Sequence, residues 1–192
     1  MSLGRLKIAA ALVFASPFVP MLFQGEEWGA SSPFLYFTDH EDPELGRAVT
    51  QGRRLEFAAF GWKAEDVPDP QAYDTFRRSK LNWQERDSKS HAELLAWHKR
   101  LIQLRRELSA LSDGRMEHVR VSFDEAKRWL VVERGPVIVA CNLSADQQNV
   151  PLGPGRDYQI LLVSERDVQI DDDAIALPPD SVAILNAAKT RQ

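Results

Sequence analysis

The stretch Met21–Gly29 reads MLFQGEEWG, an apolar run that turns at a glycine into two adjacent carboxylates and a tryptophan. Upstream, Leu3–Ser16 is rich in Ala and Leu and predicts a largely buried helix, which Ser16-Pro17 should end because a proline restricts the residue before it. The continuous apolar run Phe18–Phe23 then reads as a strand buried on both faces, as in a parallel sheet. Helix, buried strand and a glycine turn carrying acids point to an α/β segment.

The pair Glu26–Glu27 invites a reading as glycosidase acid and base. Neighbours on an extended segment point to opposite faces. A retaining pair needs its carboxyls about 5–5.5 Å apart across one bond, and an inverting pair about 6.5–9.5 Å. Adjacent glutamates meet neither demand. One is expected to face a site while the other bonds to backbone amides or an arginine.

Beyond this turn, residues 24–82 show little periodicity and many Gly, Pro, Asp and aromatic residues, which predicts a long elaborated loop of the kind that carries function. Tyr36-Phe37-Thr38-Asp39-His40 sets aromatic platforms beside hydrogen-bonding groups, with Trp28, Phe34 and Trp62 near in sequence. Such a combination suits a sugar, whose rings offer apolar faces and hydroxyl edges, and it equally suits the core of a long loop. Asp39-His40 lacks the further Cys or His that a zinc site requires. Arg53 and Arg54, with Glu56, are expected to fix the loop through buried ion pairs, and Trp62 to pack there. Neither a phosphate-binding glycine loop nor a G-x-S-x-G elbow is present.

Ser90-His-Ala-Glu93 has the form of a capping box. It predicts a helix to about Ser109 with the stripe Leu94, Trp97, Leu101, Leu104 and Leu108, and His98 at its boundary. After Gly114 the period becomes two. Strands are predicted at His118–Phe123, Arg128–Glu133, Val137–Asn142, Tyr158–Val163 and Val182–Asn186, with a weaker one near Ile175–Leu177. The expected organisation is therefore residues 1–112 as α/β and 113–192 as a small antiparallel β-sandwich. The aromatics Phe123, Trp129 and Tyr158 lie in or near strand patterns, so the sandwich is expected to bury surface rather than bind glucan.

The chain has 192 residues, 24 basic and 28 acidic, and a formal charge of -4. So mild and mixed a balance gives no reason to expect a nucleic-acid partner, which asks for clustered Lys and Arg. A single cysteine, Cys141, excludes an internal disulfide and reads as a packed thiol. The apolar stretch Ile8–Phe14 is too short for a membrane span, and no small-residue cleavage site follows, so a cytoplasmic protein is expected. Asn142-Leu143-Ser144 matches the glycosylation sequon, a match common by chance.

Taken together, Gly25-Glu26-Glu27-Trp28-Gly29 after a buried strand, then Phe37-Thr38-Asp39-His40, then Gly52-Arg53-Arg54-x-Glu56-Phe57-x-x-Phe60-Gly61-Trp62, resemble the C-terminal part of the maltooligosyltrehalose trehalohydrolase family of the alpha-amylase superfamily. Leu81-Asn82-Trp83 and Leu101-Ile102-x-Leu104-Arg105 extend the resemblance. It implies the last part of a (β/α)8 TIM barrel, with Leu3–Ser16 as its seventh helix, Phe18–Phe23 as its eighth strand and Ser90–Ser109 as its eighth helix. The β-sandwich would follow. The implied reaction hydrolyses the α-1,4 bond next to the terminal trehalose of maltooligosyltrehalose, with retention and without cofactor or metal. In that family the catalytic carboxylates come from strands four, five and seven, so none would lie in this chain. Only Glu26, Glu27, Trp28, Asp39 and His40 carry over, as candidate walls of the substrate cleft. The isolated chain is expected to be inactive, and either to self-associate through its barrel remnant or to be a surviving fragment of a longer enzyme. A branching or debranching enzyme fragment, or a non-catalytic carbohydrate-binding module, is the alternative.

Overall fold

The computed structural model describes residues 1–171 and 173–189. It divides into two compact units, Met1–Trp28 with Lys89–Gln192, and Gly29–Ser88.

In the first unit, helix α1 (Leu3–Ala15) starts at Ser2, whose hydroxyl accepts from the amide of Arg5 at 3.3 Å. Gly4 is required there, because a Cβ would fall 2.1 Å from the carbonyl oxygen of Asp180. Helix α4 (Lys89–Glu107) buries Leu94, Trp97, Leu101 and Leu104 of the predicted stripe, along with His98, while Leu108 falls just beyond its end and is half-buried. Helix α5 (Ser109–Ser112) follows at once. The capping box is not formed. Ser90 lies inside α4, and the Glu93 carboxylate instead accepts from the buried Lys7 Nζ at 2.6 Å. Lys7 also donates to the carbonyl of Ser164 at 3.0 Å, so a buried cation ties α1 to α4 and to the β region.

Eight strands follow: β1 (Val119–Asp124), β2 (Trp129–Arg134), β3 (Val137–Asn142), β4 (Gln148–Pro151), β5 (Arg156–Val163), β6 (Gln169–Ile170), β7 (Ala174–Leu177) and β8 (Ser181–Lys189). They form two antiparallel sheets, a five-stranded one ordered β1-β2-β3-β8-β5 and a three-stranded one ordered β4-β7-β6. Alternation assigns the two faces of the larger sheet. Val137, Val139, Cys141, Val182 and Ile184 share a core with Ile8, Phe14, Trp97 and Leu101 of the helices. Ile138, Ala140, Ala183 and Leu185, on the opposite face, share a core with Val150, Ile175 and Leu177 of the small sheet. Every residue of β3 is buried, as befits its central place. The strands predicted after Gly114 all appear, with ends shifted by a few residues; β4 and β6, at four and two residues, carry no readable alternation.

Two further predictions fail. Phe18–Phe23 is not a strand: it has no regular secondary structure, and Phe18, Val19, Met21 and Phe23 are exposed. An apolar run becomes a strand only where neighbouring strands complete its ladder. Residues 24–82 are not one long loop either, since the second unit contains α2 (Pro43–Ala58) and α3 (Tyr73–Arg78). Asp42 caps α2, accepting from the amide of Glu44 at 2.8 Å, and Pro43 opens it where a missing N–H costs nothing. Its only buried residue is Gly46, so it presents no apolar stripe to read.

Candidate functional site

The turn that follows the exposed run is built by Gly25, at φ +80°, a conformation that favours glycine. The amide of Glu26 donates to the Phe23 carbonyl at 3.0 Å, and its carboxylate accepts from the Phe23 amide, also at 3.0 Å. Glu26 is thus the backbone-bonded member of the pair, and Glu27 is half-buried beside it in a short 3-10 turn, Glu26–Trp28. Trp28 is 2% exposed. Its carbonyl accepts from His91 Nδ1 at 2.7 Å, which assigns the proton of a neutral His91 to that nitrogen and anchors the turn to α4. The Trp28 ring is therefore a core side chain of this unit rather than an open platform.

Asp39 and His40 belong to the second unit, where Asp39 is exposed and His40 half-buried. Their strip is held by Gln71, a residue that no motif or periodicity singles out. Gln71 Oε1 accepts from Thr38 Oγ1 at 2.6 Å and from the His40 amide at 3.2 Å, while Nε2 donates to the His40 carbonyl at 3.3 Å. Asp69 Oδ1 in turn accepts from the Gln71 amide at 3.0 Å and from Thr50 Oγ1 of α2 at 2.7 Å. Gly46 makes this approach possible, because a Cβ there would sit 2.6 Å from Gln71 Nε2. Among the described residues no three His, Cys, Asp or Glu side chains converge as metal ligands do.

Arg53, Arg54 and Glu56 stand on α2 rather than on a loop. Arg53 pairs with Glu56 at 2.8 Å, but Glu56 is 55% exposed, so the expected buried ion pair is a solvated one of little energetic value. Arg53 contributes instead through its flat guanidinium, 4.9 Å from the Tyr36 ring centre and 4.7 Å from that of Phe57. Trp62 meets Phe57 edge to face at 5.1 Å. Arg54 is exposed and lines a cleft along α2 of about 580 Å³.

Two further predictions concern side chains with no role in a site. Cys141 is fully buried, and desolvation pushes its thiol up to about 12. Asn142, of the sequon, is buried and committed internally: its Nδ2 donates to the carbonyls of Asp146, Leu177 and Pro178 at 2.8, 3.0 and 2.8 Å. Among the described residues no helix is long and apolar enough to cross a membrane.

Residues 114–184 match a domain of unknown function, DUF3459. Over 186 residues the chain is 45% identical to the malto-oligosyltrehalose trehalohydrolase of Mycobacterium tuberculosis, a match that covers 97% of this chain and 31% of that protein. Its counterpart in Brevibacterium helvolum is 43% identical over 187 residues, again 97% of this chain and 31% of the relative. Among solved structures, a putative alpha amylase from Salmonella typhimurium superposes with a TM-score of 0.76 at 34% identity, over 95% of this chain and 30% of that one. The chain spans about 31% of the length of the curated relatives it matches. Along nearly all of its length, this chain is a homologue of the C-terminal part of the malto-oligosyltrehalose trehalohydrolases, with alpha-amylase-like structural neighbours.

Proposed function

We propose that the chain is part of a retaining glycoside hydrolase that cleaves the α-1,4 bond next to the terminal trehalose of maltooligosyltrehalose and releases trehalose. The observation that carries this reading is the 45% identity to a malto-oligosyltrehalose trehalohydrolase across 97% of the chain. In this reading residues 1–112 complete a (β/α)8 barrel, with α1 and α4 as its last two helices. Phe18–Phe23 takes its place as a strand once its neighbours supply the ladder. Residues 113–192 form the small β-sandwich, consistent with two antiparallel sheets that share one apolar core.

The nucleophile and the general acid come from elsewhere in the enzyme, whose work is cytoplasmic. This chain contributes candidate walls of the cleft. Glu27 is the better placed of the two glutamates, since the Glu26 carboxylate is engaged by its own turn. Trp28 acts by fixing that turn, while Asp39 and His40 offer polar groups on a strip that Gln71 holds. Alone, the chain has no trehalohydrolase activity and associates with itself through the exposed run Phe18–Phe23.

The test exchanges the corresponding segment of the Mycobacterium tuberculosis enzyme for this chain and assays trehalose release from maltooligosyltrehalose. The isolated chain should release none and the chimera should release it. A folded chimera without activity, or an active isolated chain, overturns the reading.

A further inference from the structure

We infer that β1 is an interface strand, which pairs antiparallel with β1 of a second copy of this chain, Ser122 opposite Ser122 on a two-fold axis. The five-stranded sheet ends in two edges, β1 and β5. Edges present unpaired backbone groups, and proteins commonly blunt them with bulges. β5 is blunted in this way, since its register with β8 shifts between Ile160 and Leu162. β1 is not, because it pairs with β2 over all six of its residues without a break. The two-residue turn Gly135-Pro136 makes Arg134 and Val137 a hydrogen-bonded pair. Alternation from there directs the backbone groups of Arg120, Ser122 and Asp124 to β2, and those of Val121 and Phe123 outward.

The side chains of β1 select its own copy as the occupant. Val121 and Phe123, 56% and 61% exposed, stand on the same face as Val132 and Leu130, opposite them on β2. Arg120, Ser122 and Asp124 stand on the other face. Across the ladder Arg120 meets Glu133, but Glu133 accepts from Arg156 Nη1 at 2.9 Å. Arg120 is exposed and has no ion-pair partner among the described residues. Asp124 Oδ1 accepts from the Lys127 amide at 2.9 Å, which orients the carboxylate without cancelling its charge. With Ser122 on the axis, Arg120 comes opposite Asp124 of the second copy, twice by symmetry. Val121 comes opposite Phe123, again twice, and these are the residues whose backbone groups are free to bond. Opposite charges and apolar side chains directly across a ladder each stabilise it. A slip of two residues sets Arg120 opposite Ser122 or Ala126 and loses both charge pairs, so the register is specified.

The pairing does not rest on the proposed hydrolysis, and trehalose release is not its readout. The experiment follows sedimentation of the full chain over a concentration series. It uses the Phe18→Ser/Met21→Ser background, so that association through the exposed run does not contribute. A reversible monomer–dimer equilibrium is expected. Arg120→Asp and Asp124→Arg each turn two attractive pairs into two repulsive ones, and each should weaken the dimer by about tenfold or more. An equimolar mixture of the two variants restores both opposite-charge pairs and should dimerise as the parent does. Ser122→Cys should form an intermolecular disulfide on mild oxidation, because opposed residues of a non-hydrogen-bonded pair lie about 4.5 Å apart at Cα. Cys141 is fully buried and does not compete. Ala126→Cys, which the register sets opposite His118 and far from its own symmetry mate, should form none. Ser122→Cys keeps every charge and decides the matter if a charge variant does not fold. A monomer at every concentration overturns the proposal. So does a mixture that dimerises no better than its components, or a dimer that Ser122→Cys fails to lock.

Discussion

Arg134 is 1% exposed, yet it has no carboxylate partner among the described residues. Its Nη1 donates to the carbonyl of Ala15 at 2.6 Å, and its Nη2 donates to the carbonyls of Ala110, at 3.1 Å, and Asp113. Ala15 is the last residue of α1, where helix carbonyls have no partner of their own and the dipole favours a cation. Arg105 serves the same turn, donating to the carbonyls of Phe14, Ser16 and Phe18 at 2.5, 2.9 and 2.8 Å. Three bonds from a charged donor are worth about 1.5–3 kcal/mol each before other terms. Against them stand the desolvation of the guanidinium, its Nε, which has no hydrogen-bond partner among the described residues, and the nearby charge of Arg105. Truncation removes the donor but strands three carbonyls, which is the costly case. Arg134→Ala should therefore destabilise the first unit by about 3–5 kcal/mol. Arg134→Met, which restores volume but no donor, should recover less than half of that. The five tryptophans report on both units, whereas the one cysteine, Cys141, lies in the core of the first. Thiol labelling across a urea series thus isolates the relevant transition. With a slope near 2 kcal/mol/M, the midpoint should fall by about 1.5–2.5 M. An alanine variant within about 1 kcal/mol of the parent would refute the claim that these bonds outweigh the burial of the charge.

Other expectations follow from the same unit. In the folded chain Cys141 should resist thiol reagents at pH 8 and react only as the protein unfolds, because burial raises its pKa to about 12; rapid native labelling would contradict the buried placement. Asp113 is held well below the usual carboxylate range, first by the side chain of Arg115 at 3.0 Å and then by that of His118 at 2.7 Å. Its contribution is present above the unfolded pKa of about 3.9 and lost as pH falls through the lower folded value. The stability gap between wild type and Asp113→Asn should close on acidification, and a gap that widens has the wrong sign. Finally, sedimentation should find the isolated chain self-associated, with Phe18→Ser/Met21→Ser shifting it towards monomer, since four large apolar residues of that run are exposed. A monomeric parent chain would remove the argument.

The parts of this fold that were legible in the sequence are those in which one residue pattern meets one partner surface. The stripe Leu94, Trp97, Leu101, Leu104 is periodic because α4 buries a single face. β3 reads as a strand because both of its faces are covered. Helix α2 was missed because its buried residue is a glycine, chosen for the close approach of Gln71 and therefore silent in any hydrophobic pattern. The true signal was local, the Asp42 cap followed by Pro43. The Ser90 capping box misled for the converse reason: its motif was complete, but Glu93 had a stronger claim on it from the buried Lys7.

The opening turn shows why carboxylates cannot be assigned by adjacency. In Gln24-Gly25-Glu26-Glu27, the left-handed glycine reverses the chain, and the first acid after it returns to bond the Phe23 amide three residues back. The sequence allowed the division of labour between the two glutamates but not its order, because the order depends on which of them lies within reach of a backbone N–H after the reversal. Moreover, the turn is anchored from outside itself, through the bond from His91 on α4 to the Trp28 carbonyl. That contact spans 63 positions of the chain and has no local signature. The orientation of Glu27 consequently depends on α4 as much as on its own neighbours. The turn is thus written partly in a residue that lies far outside it in the chain, His91 of α4.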